Sequence, residues 1–154
     1  MMRRLLVPIT CMILLLASQA YAAEAGADDI LGQWFTDDDE SVVEIYRCGD
    51  LYCGRIVWLQ EPTNEDGTEK VDKNNPDESM RDRRIIGLDI VRDFKYSGKS
   101  RWSDGTIYDP KKGKTYSCRA TLEGSKLSIR GYVGIAAFGR TTVWTRKQTE
   151  QELQ

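Results

Sequence analysis

Short runs of alternating apolar and polar residues follow one another through the chain from residue 32 onwards. The runs are rich in β-branched and aromatic residues, which favour strands, and clusters of Gly, Asp, Asn and Pro separate them. This pattern is typical of an antiparallel sandwich or barrel. It predicts eight strands, over Gly32–Thr36, Val42–Arg47, Leu51–Leu59, Ile85–Phe94, Arg101–Tyr108, Lys114–Leu122, Lys126–Tyr132 and Thr141–Lys147.

One hairpin has a register that follows directly from its turn. The residues Glu123-Gly124-Ser125-Lys126 form a tight connection between the sixth and seventh predicted strands. Side chains alternate between the two faces of a strand, so the opposed positions form one apolar face and one wet face. The predicted inward pairs are Leu122 with Leu127, Ala120 with Ile129, and Cys118 with Gly131.

A second hairpin carries two cysteines. If Gly49–Tyr52 is a four-residue loop, Cys48 faces Cys53 at a distance suited to a disulfide, and we predict that bond. A redox-active pair instead needs Cys-x-x-Cys at a helix start, so a structural bond is the favoured interpretation. The same register predicts two inward pairs, Ile45 with Ile56 and Val43 with Trp58.

The stretch Asn64–Arg84 is longer than most loops, which favours either a function or a small helix within it. Asn75 as N-cap, Pro76 at the first helical position and Glu78 at the third predict a short helix through Met80 to Arg83. The charged residues here either form a polar cluster that closes one end of a barrel or belong to a solvated loop. They are Asp72, Asp77, Glu78, Arg81, Asp82, Arg83 and Arg84.

The N-terminal segment has the pattern of a signal peptide. Arg3 and Arg4 precede a mostly apolar run, Leu5–Ala17, that is too short to span a bilayer comfortably. The small residues of Ala20-Tyr21-Ala22 predict cleavage after Ala22, with Ala23-Glu24-Ala25 as a later alternative; an uncleaved membrane anchor is the competing hypothesis. We therefore expect a signal peptide over residues 1–22, one domain over 23–147 and a polar tail over 148–154.

Export places the protein in an oxidising compartment, the periplasm or the exterior. No later segment approaches 18 consecutive apolar residues, so no membrane span is expected after cleavage. The 154 residues carry 22 basic and 24 acidic side chains, a net charge of −2. Removal of residues 1–22 changes this charge to −4, which argues against a nucleic-acid partner. The chain has no histidine, which excludes imidazole-based catalytic triads and His-ligated zinc sites.

Two separated motifs resemble the lipocalin-like proteins. Gly32-Gln33-Trp34 opens the first strand after a predicted helical turn at Asp28–Leu31, and Arg146 lies in the last strand. In lipocalin-like barrels an arginine near the end of the chain packs over the tryptophan of a Gly-x-Trp motif. A guanidinium over an indole face stabilises such a contact by about 1–2 kcal/mol when it is partly desolvated. The expected fold is therefore an antiparallel eight-stranded lipocalin-like barrel with one short helix in its long loop.

A closer resemblance covers nearly the whole chain after the predicted cleavage site. The sequence is similar to the bacterial exported family called domain of unknown function 2147. The resemblance implies an exported lipocalin-like barrel and no established reaction or catalytic residue. It rests on segments 53–59, 72–77, 87–88, 102–110, 113–116, 130–132 and 138–146, which include Cys-Gly-Arg-Ile-Val-Trp-Leu, Asp-Lys-Asn-Asn-Pro-Asp and Trp-Ser-Asp-Gly-Thr-Ile-Tyr-Asp-Pro.

The first functional hypothesis is a small, partly apolar or amphipathic ligand in or at the mouth of the barrel. Eight strands enclose either a side-chain-filled interior or room for one small ligand. In the filled alternative the apolar residues are simply core, Asn75 caps a helix and Asp109 starts a turn. The candidate walls are Val43, Ile45, Ile56, Trp58, Cys118 and Ile129, and the candidate polar selectors are Asp72, Asn75, Tyr108 and Asp109.

Two further hypotheses belong to other classes. In the first, the protein is an envelope interaction or inhibitor module with a filled barrel, and the acidic run Asp37–Glu40 and the long charged loop contact a partner. Alternatively it is a hydrolase that uses a carboxylate pair, with Asp72 and Asp109 as the first candidates. We expect a monomer without enzymatic activity.

No cofactor or metal is expected. Asp72-x-Asn74 begins like a calcium loop, but Pro76 and a missing glycine break the pattern. A stacking platform for nucleic acid is disfavoured, so Trp34, Trp102 and Trp144 are assigned to the core. Cys118 is expected to be a buried, unreactive thiol.

Overall fold

The structure is a computed structural model that describes residues 25–148. The predicted signal peptide and the tail from Thr149 onwards lie outside the described residues. Eight antiparallel strands form a closed barrel in which each strand pairs with the next and β8 pairs with β1, so the predicted architecture is confirmed. The strands are β1 Gly32–Phe35, β2 Ser41–Cys48, β3 Leu51–Leu59, β4 Asp89–Gly98, β5 Arg101–Asp109, β6 Lys114–Glu123, β7 Lys126–Tyr132 and β8 Arg140–Arg146.

The fourth strand begins four residues later than predicted. Ile85 and Leu88 are buried, but they belong to the end of the long loop. The Ile85 amide donates to the Lys70 carbonyl and the Leu88 amide to the Ile85 carbonyl, while Gly87 has a φ of 93°. These apolar residues therefore plug the barrel from a turn. In the sequence, a buried apolar residue of such a turn looks the same as one of a strand.

The predicted β2–β3 register is wrong. The chain reverses over Gly49 and Asp50 alone, and an irregularity between Val42 and Val43 shifts the pairing further along. Val43 consequently pairs with Ile56, and Trp58 pairs with Val42 on the outer face. Trp58 is 43% exposed, so the prediction that it faces inward opposite Val43 is also wrong. A single inserted residue changes which face a strand presents.

The Cys48–Cys53 disulfide is nevertheless confirmed. The two residues are diagonal neighbours, since Cys48 pairs with Leu51 and Cys53 with Tyr46. Their Cα atoms are 5.8 Å apart, within the range that a disulfide bridges. The β6–β7 register is also confirmed at all three predicted pairs. The turn Glu123–Lys126 therefore predicted its register correctly, whereas the disulfide forms although the register of its own hairpin was predicted wrongly.

The closed end of the barrel is held by a 3-10 turn over Ala27–Ile30. The Trp34 indole N–H donates to the Ile30 carbonyl at 2.9 Å, and the Trp102 indole N–H donates to the Ala27 carbonyl at 3.3 Å. Both indoles are fully buried. Each hydrogen bond satisfies a polar atom that burial would otherwise leave unpaired, so the turn is fixed directly on the core.

Arg146 lies over Trp34, as predicted. Its guanidinium carbon is 4.1 Å from the indole centroid, and it donates to the carbonyl oxygens of Leu31 and Asp29. Gly32 has a φ of 116°, and a Cβ there would lie 3.1 Å from the guanidinium. Only glycine combines that backbone conformation with so close an approach. The Gly-x-Trp motif and the final arginine therefore form one structural unit.

The barrel interior is filled at this closed end. Trp34, Phe94 and Trp102 are fully buried and occupy its centre. A Cβ on Gly105 would lie 2.5 Å from the Phe94 ring, so the glycine makes room for that side chain. Cys118, a free cysteine, is also completely buried, and burial raises the pKa of its thiol to about 12. The expectation that Cys118 is buried is confirmed, and a raised pKa leaves little of the thiolate form that thiol reactivity requires.

We predict that Arg146→Ala lowers the free energy of unfolding by about 2–4 kcal/mol. It removes a cation–π contact and charge-assisted hydrogen bonds to two carbonyls. Arg146→Lys is expected to recover only part of the loss, because lysine lacks the planar fork. Urea unfolding followed by tryptophan fluorescence measures the change. Lys126→Ala is the control, since Lys126 is exposed in the adjacent strand β7 and its side chain makes no hydrogen bond or ion pair among the described residues. Equal midpoints for the two alanine variants would contradict the assignment.

Candidate functional site

The open end of the barrel contains a cavity of about 950 Å³. Its apolar wall comes from inward positions on several strands and from the plug residue Ile85. Ile56 and Ile129 line it, as predicted, whereas Val43, Ile45 and Cys118 are buried but do not line it. The sequence analysis missed the remaining wall residues, although strand alternation marks most of them as inward. These are Ile85, Ile90, Ile107, Tyr116, Gly131, Thr142 and Trp144, and the predicted Tyr108 lies among them.

Trp58 has no part in this cavity. It lies on the outer face of β3, where its ring meets Phe35 edge-on with centroids 6.4 Å apart. Both rings flank Val42, which is 1% exposed and separate from the main core. Trp58, predicted as a ligand contact, thus belongs to a small cluster outside the barrel, because the register change places it on the other face of the strand.

Asp72 is the centre of a buried polar network behind the cavity wall. The carboxylate is fully buried, and it accepts hydrogen bonds from the Tyr108 hydroxyl at 2.7 Å, the Asn75 amide at 2.7 Å and the Arg83 guanidinium at 2.9 Å. The Asp72 amide also donates to the Arg83 carbonyl. A buried charge is tolerated when it is paired and fully hydrogen-bonded. The network therefore attaches the long loop to β5 beside the mouth.

The structure brings together three of the predicted polar residues, Asp72, Asn75 and Tyr108. Of these, only Tyr108 lines the cavity. Asn75 donates to Asp72 and Tyr108 and accepts from the Asp77 amide. It is not the N-cap of the short helix: the helix is a 3-10 turn over Glu78–Met80, capped by Asp77. The Asn75 side-chain oxygen accepts from the Asp77 amide in the turn before the helix, and the Asp77 carboxylate accepts from the Ser79 amide as the actual cap.

Asp109 lies apart from this network, in the β5–β6 turn at the mouth. One carboxylate oxygen accepts from the Lys111 amide at 3.0 Å, and the other is 3.5 Å from the Lys112 ammonium. Asp109 lines the cavity but Asp72 does not. The two carboxylates suggested as a catalytic pair therefore do not face a common cleft.

Among the charged side chains at the mouth, some form ion pairs and others form none within residues 25–148. Lys111 pairs with Glu40 and lies 3.8 Å from Asp38, and the hydrogen bond to Glu40 raises the pKa of Lys111. Lys73 and Arg140 also line the mouth, and within residues 25–148 their side chains make no hydrogen bond or ion pair. Two cationic groups are thus available at the entrance to an apolar cavity.

Two negative findings concern only residues 25–148. No helix there is long and apolar enough to cross a membrane. In the same residues, no group of three or more acidic or cysteine side chains is arranged to hold a metal ion.

The barrel, its 3-10 turn under Trp34 and its one open end define the class as a lipocalin-like barrel. Protein HP1028 from Helicobacter pylori, described as belonging to the lipocalin family, has a similar structure with a TM-score of 0.68. The two are 24% identical over 81% of this chain and 86% of that chain. No curated protein is significantly similar in sequence. The profile of DUF2147, described as an uncharacterized protein conserved in bacteria, matches residues 32–146, and the chain belongs to that family.

We predict that Asp72→Ala lowers the free energy of unfolding by about 3 kcal/mol, because it leaves buried polar partners without an acceptor. Asp82→Ala is the matched control, since Asp82 lies exposed in the same loop and its side chain makes no hydrogen bond or ion pair among the described residues. Urea unfolding measures both variants. An Asp72→Ala midpoint equal to that of the control would show that the network contributes nothing.

A pH effect is expected from Tyr108. Burial is the main cause that raises the pKa of Tyr108 from 10 to about 12, and the hydrogen bond to Asp72 is the second. The protonated phenol therefore stabilises the folded state fully below pH 10, and this contribution disappears as the pH rises towards 12. We expect Tyr108→Phe to show a smaller loss of stability over this interval than the wild type. Urea unfolding at successive pH values, with phenolate absorbance, tests this.

Part of the loss is expected to persist in Tyr108→Phe. Burial also raises the pKa of Tyr46 and of Tyr52, with further contributions from Asp89 and Asp28 respectively. A wild-type protein whose tyrosines all titrate near 10 would contradict the assignment.

Proposed function

We propose that the protein is an exported binding protein that holds one small amphipathic molecule in the open half of its barrel. The observation that carries this proposal is the apolar cavity of about 950 Å³. Ligand sites in proteins typically have volumes of about 300–1,000 Å³ and mostly apolar walls with a few polar groups. A barrel of eight strands has room for one small ligand where side chains do not fill it.

The wall chemistry indicates how such a molecule lies. Five isoleucines and Trp144 supply apolar contacts in the cavity, whereas Lys73 and Arg140 stand at the mouth without an ionic partner among residues 25–148. An apolar tail therefore points into the barrel and an anionic head, such as a carboxylate, meets the two cations. The hydroxyls of Tyr116 and Thr142 offer further hydrogen bonds. The isoleucines are Ile56, Ile85, Ile90, Ile107 and Ile129.

The predicted polar residues take different roles in this proposal. Tyr108 contacts the ligand, Asp109 borders the entrance, and Asp72 and Asn75 are positioning residues that hold the Tyr108 side chain and the loop. The ligand is bound and released unchanged, without a cofactor or metal. One barrel contains all the residues that line the cavity, so the proposed binding needs no second copy of the chain.

Two features support export. Residues 1–22 have the pattern of a signal peptide, and Cys48 and Cys53 are joined in a disulfide. Structural disulfides persist in oxidising compartments and are rare in reducing ones. We therefore propose the periplasm or the exterior as the location.

The envelope interaction module remains the second candidate, with the run Asp37–Glu40 and the long loop as contacts. This candidate requires a filled barrel, and the open cavity favours ligand binding instead. Native mass spectrometry of the protein from its own periplasm separates the two. A retained small molecule supports the first proposal, whereas an empty protein with a co-purified partner supports the second.

A substitution that fills the cavity tests ligand binding directly. A Cβ on Gly131 would meet only Ile107 and Tyr116, each at 3.7 Å, and both line the cavity. We predict that Gly131→Phe folds, occupies the cavity and weakens binding of the anionic fluorophore anilinonaphthalene sulfonate by at least tenfold, about 1.4 kcal/mol. Dodecanoate is expected to displace this probe from the wild type.

Ser128→Phe is the matched control, since it adds the same ring on the outer face of the same strand, opposite Val143. It should bind the probe as the wild type does. Unchanged binding by a folded Gly131→Phe variant, or failure of dodecanoate to compete, would place the probe outside the cavity.

A further inference from the structure

The β7–β8 loop at the mouth displays an unusual set of exposed apolar side chains. Val133 is 77% exposed, Ile135 65% and Phe138 87%, more than any other large hydrophobic residue in the described chain. No charged residue lies between Arg130 and Arg140. Single exposed apolar residues are ordinary, but a group of them on one protruding loop marks an interaction site.

Hydrogen bonds and close packing hold the loop in the conformation that exposes these apolar side chains. Arg130 donates to the Ala136 carbonyl at 2.6 Å and the Ala137 carbonyl at 2.8 Å, and these residues form a 3-10 turn with Phe138. A Cβ on Gly139 would lie 2.5 Å from the Gly131 carbonyl, so the loop crosses the strand at a point that admits only glycine. The chain thus presents the Phe138 ring outward on a fixed support.

We propose that this loop docks the mouth of the barrel on a lipid bilayer, with Val133, Ile135 and Phe138 inserted at the level of the headgroups. Three separate side chains on a tip present far less area than the roughly 800 Å² per partner of a stable protein interface. A fluid bilayer needs no complementary pocket, and apolar side chains inserted at its interface supply binding energy.

The surrounding charges fit a membrane surface on one side of the loop. The hairpin from Lys126 to Gln148 contains no acidic residue, and Arg140 at the loop base has no ionic partner in the described chain. Lys112 and Lys114 belong to the neighbouring β5–β6 hairpin. The acidic residues Asp37, Asp38 and Glu40 also lie at the mouth. Insertion is therefore driven mainly by the apolar tip, with a smaller contribution from anionic lipid.

The loop also adjoins the cavity, because Val133 and Phe138 belong to its outer lining. An apolar surface consequently continues from the tip into the barrel. Docking does not depend on this continuity, so the proposal stands or falls separately from ligand binding.

The test is flotation of the processed protein, with its N-terminus verified by mass spectrometry, on vesicles. One set contains phosphatidylcholine alone and the other also contains phosphatidylglycerol. The wild type is expected to float with both. The double variant Ile135→Ser/Phe138→Ser should have a partition coefficient into the vesicles at least tenfold lower, which corresponds to about 1.4 kcal/mol. The control Met80→Ser/Val143→Ser removes two residues that are each 40% exposed elsewhere, and it should float as the wild type does.

Several results would overturn the proposal: a wild type that floats with neither vesicle, a loop variant that floats as well as the wild type, or binding that needs phosphatidylglycerol and vanishes in high salt. Loss of a wild-type dimer in the loop variant, without vesicle binding, would assign the loop to a second copy instead. As a second readout, Phe138→Trp emission should be quenched by brominated acyl chains, whereas Val143→Trp emission should not.

Discussion

The contact between Arg146 and Trp34 joins the last strand of the barrel to the first. One guanidinium covers the indole of β1, belongs to the last residue of β8 and donates to carbonyls just before β1. The indole in turn donates to the Ile30 carbonyl, so the 3-10 turn, the first strand and the last strand are fixed together. Closure removes both free sheet edges. The β1–β8 pairing is short, with Trp34 opposite Arg146 and Phe35 opposite Thr145, so this contact is a large part of what holds it.

The closed end determines what the open end is able to do. Trp34, Phe94 and Trp102 are buried in one half of the interior and do not line the cavity, which therefore lies in the other half. The buried Asp72 network then attaches the long loop beside that opening. Ligand entry and membrane contact are consequently proposed for the same end, where the β7–β8 loop extends past the cavity.

Sequence reasoning identified the Arg146 and Trp34 contact, the disulfide and most strands because each depends on local or strongly patterned signals. It placed Trp58 inside the barrel because it could not detect the irregularity between Val42 and Val43. It named Asp72, Asn75, Tyr108 and Asp109 as candidate polar selectors. The first three share one hydrogen-bond network, but only Tyr108 and Asp109 line the cavity. Whether a polar side chain faces a cavity or a buried partner depends on residues distant in sequence.

The sequence by itself determined the all-β class, the eight strands, the closing contact and family membership, because alternation, turn residues and a few motifs act over short spans. Only the tertiary structure decided the β2–β3 register, the role of Ile85 as a plug and the division of the barrel into a filled and an open half. The physical reason is that volume is shared: space left at one position depends on every side chain that enters the interior from the other strands.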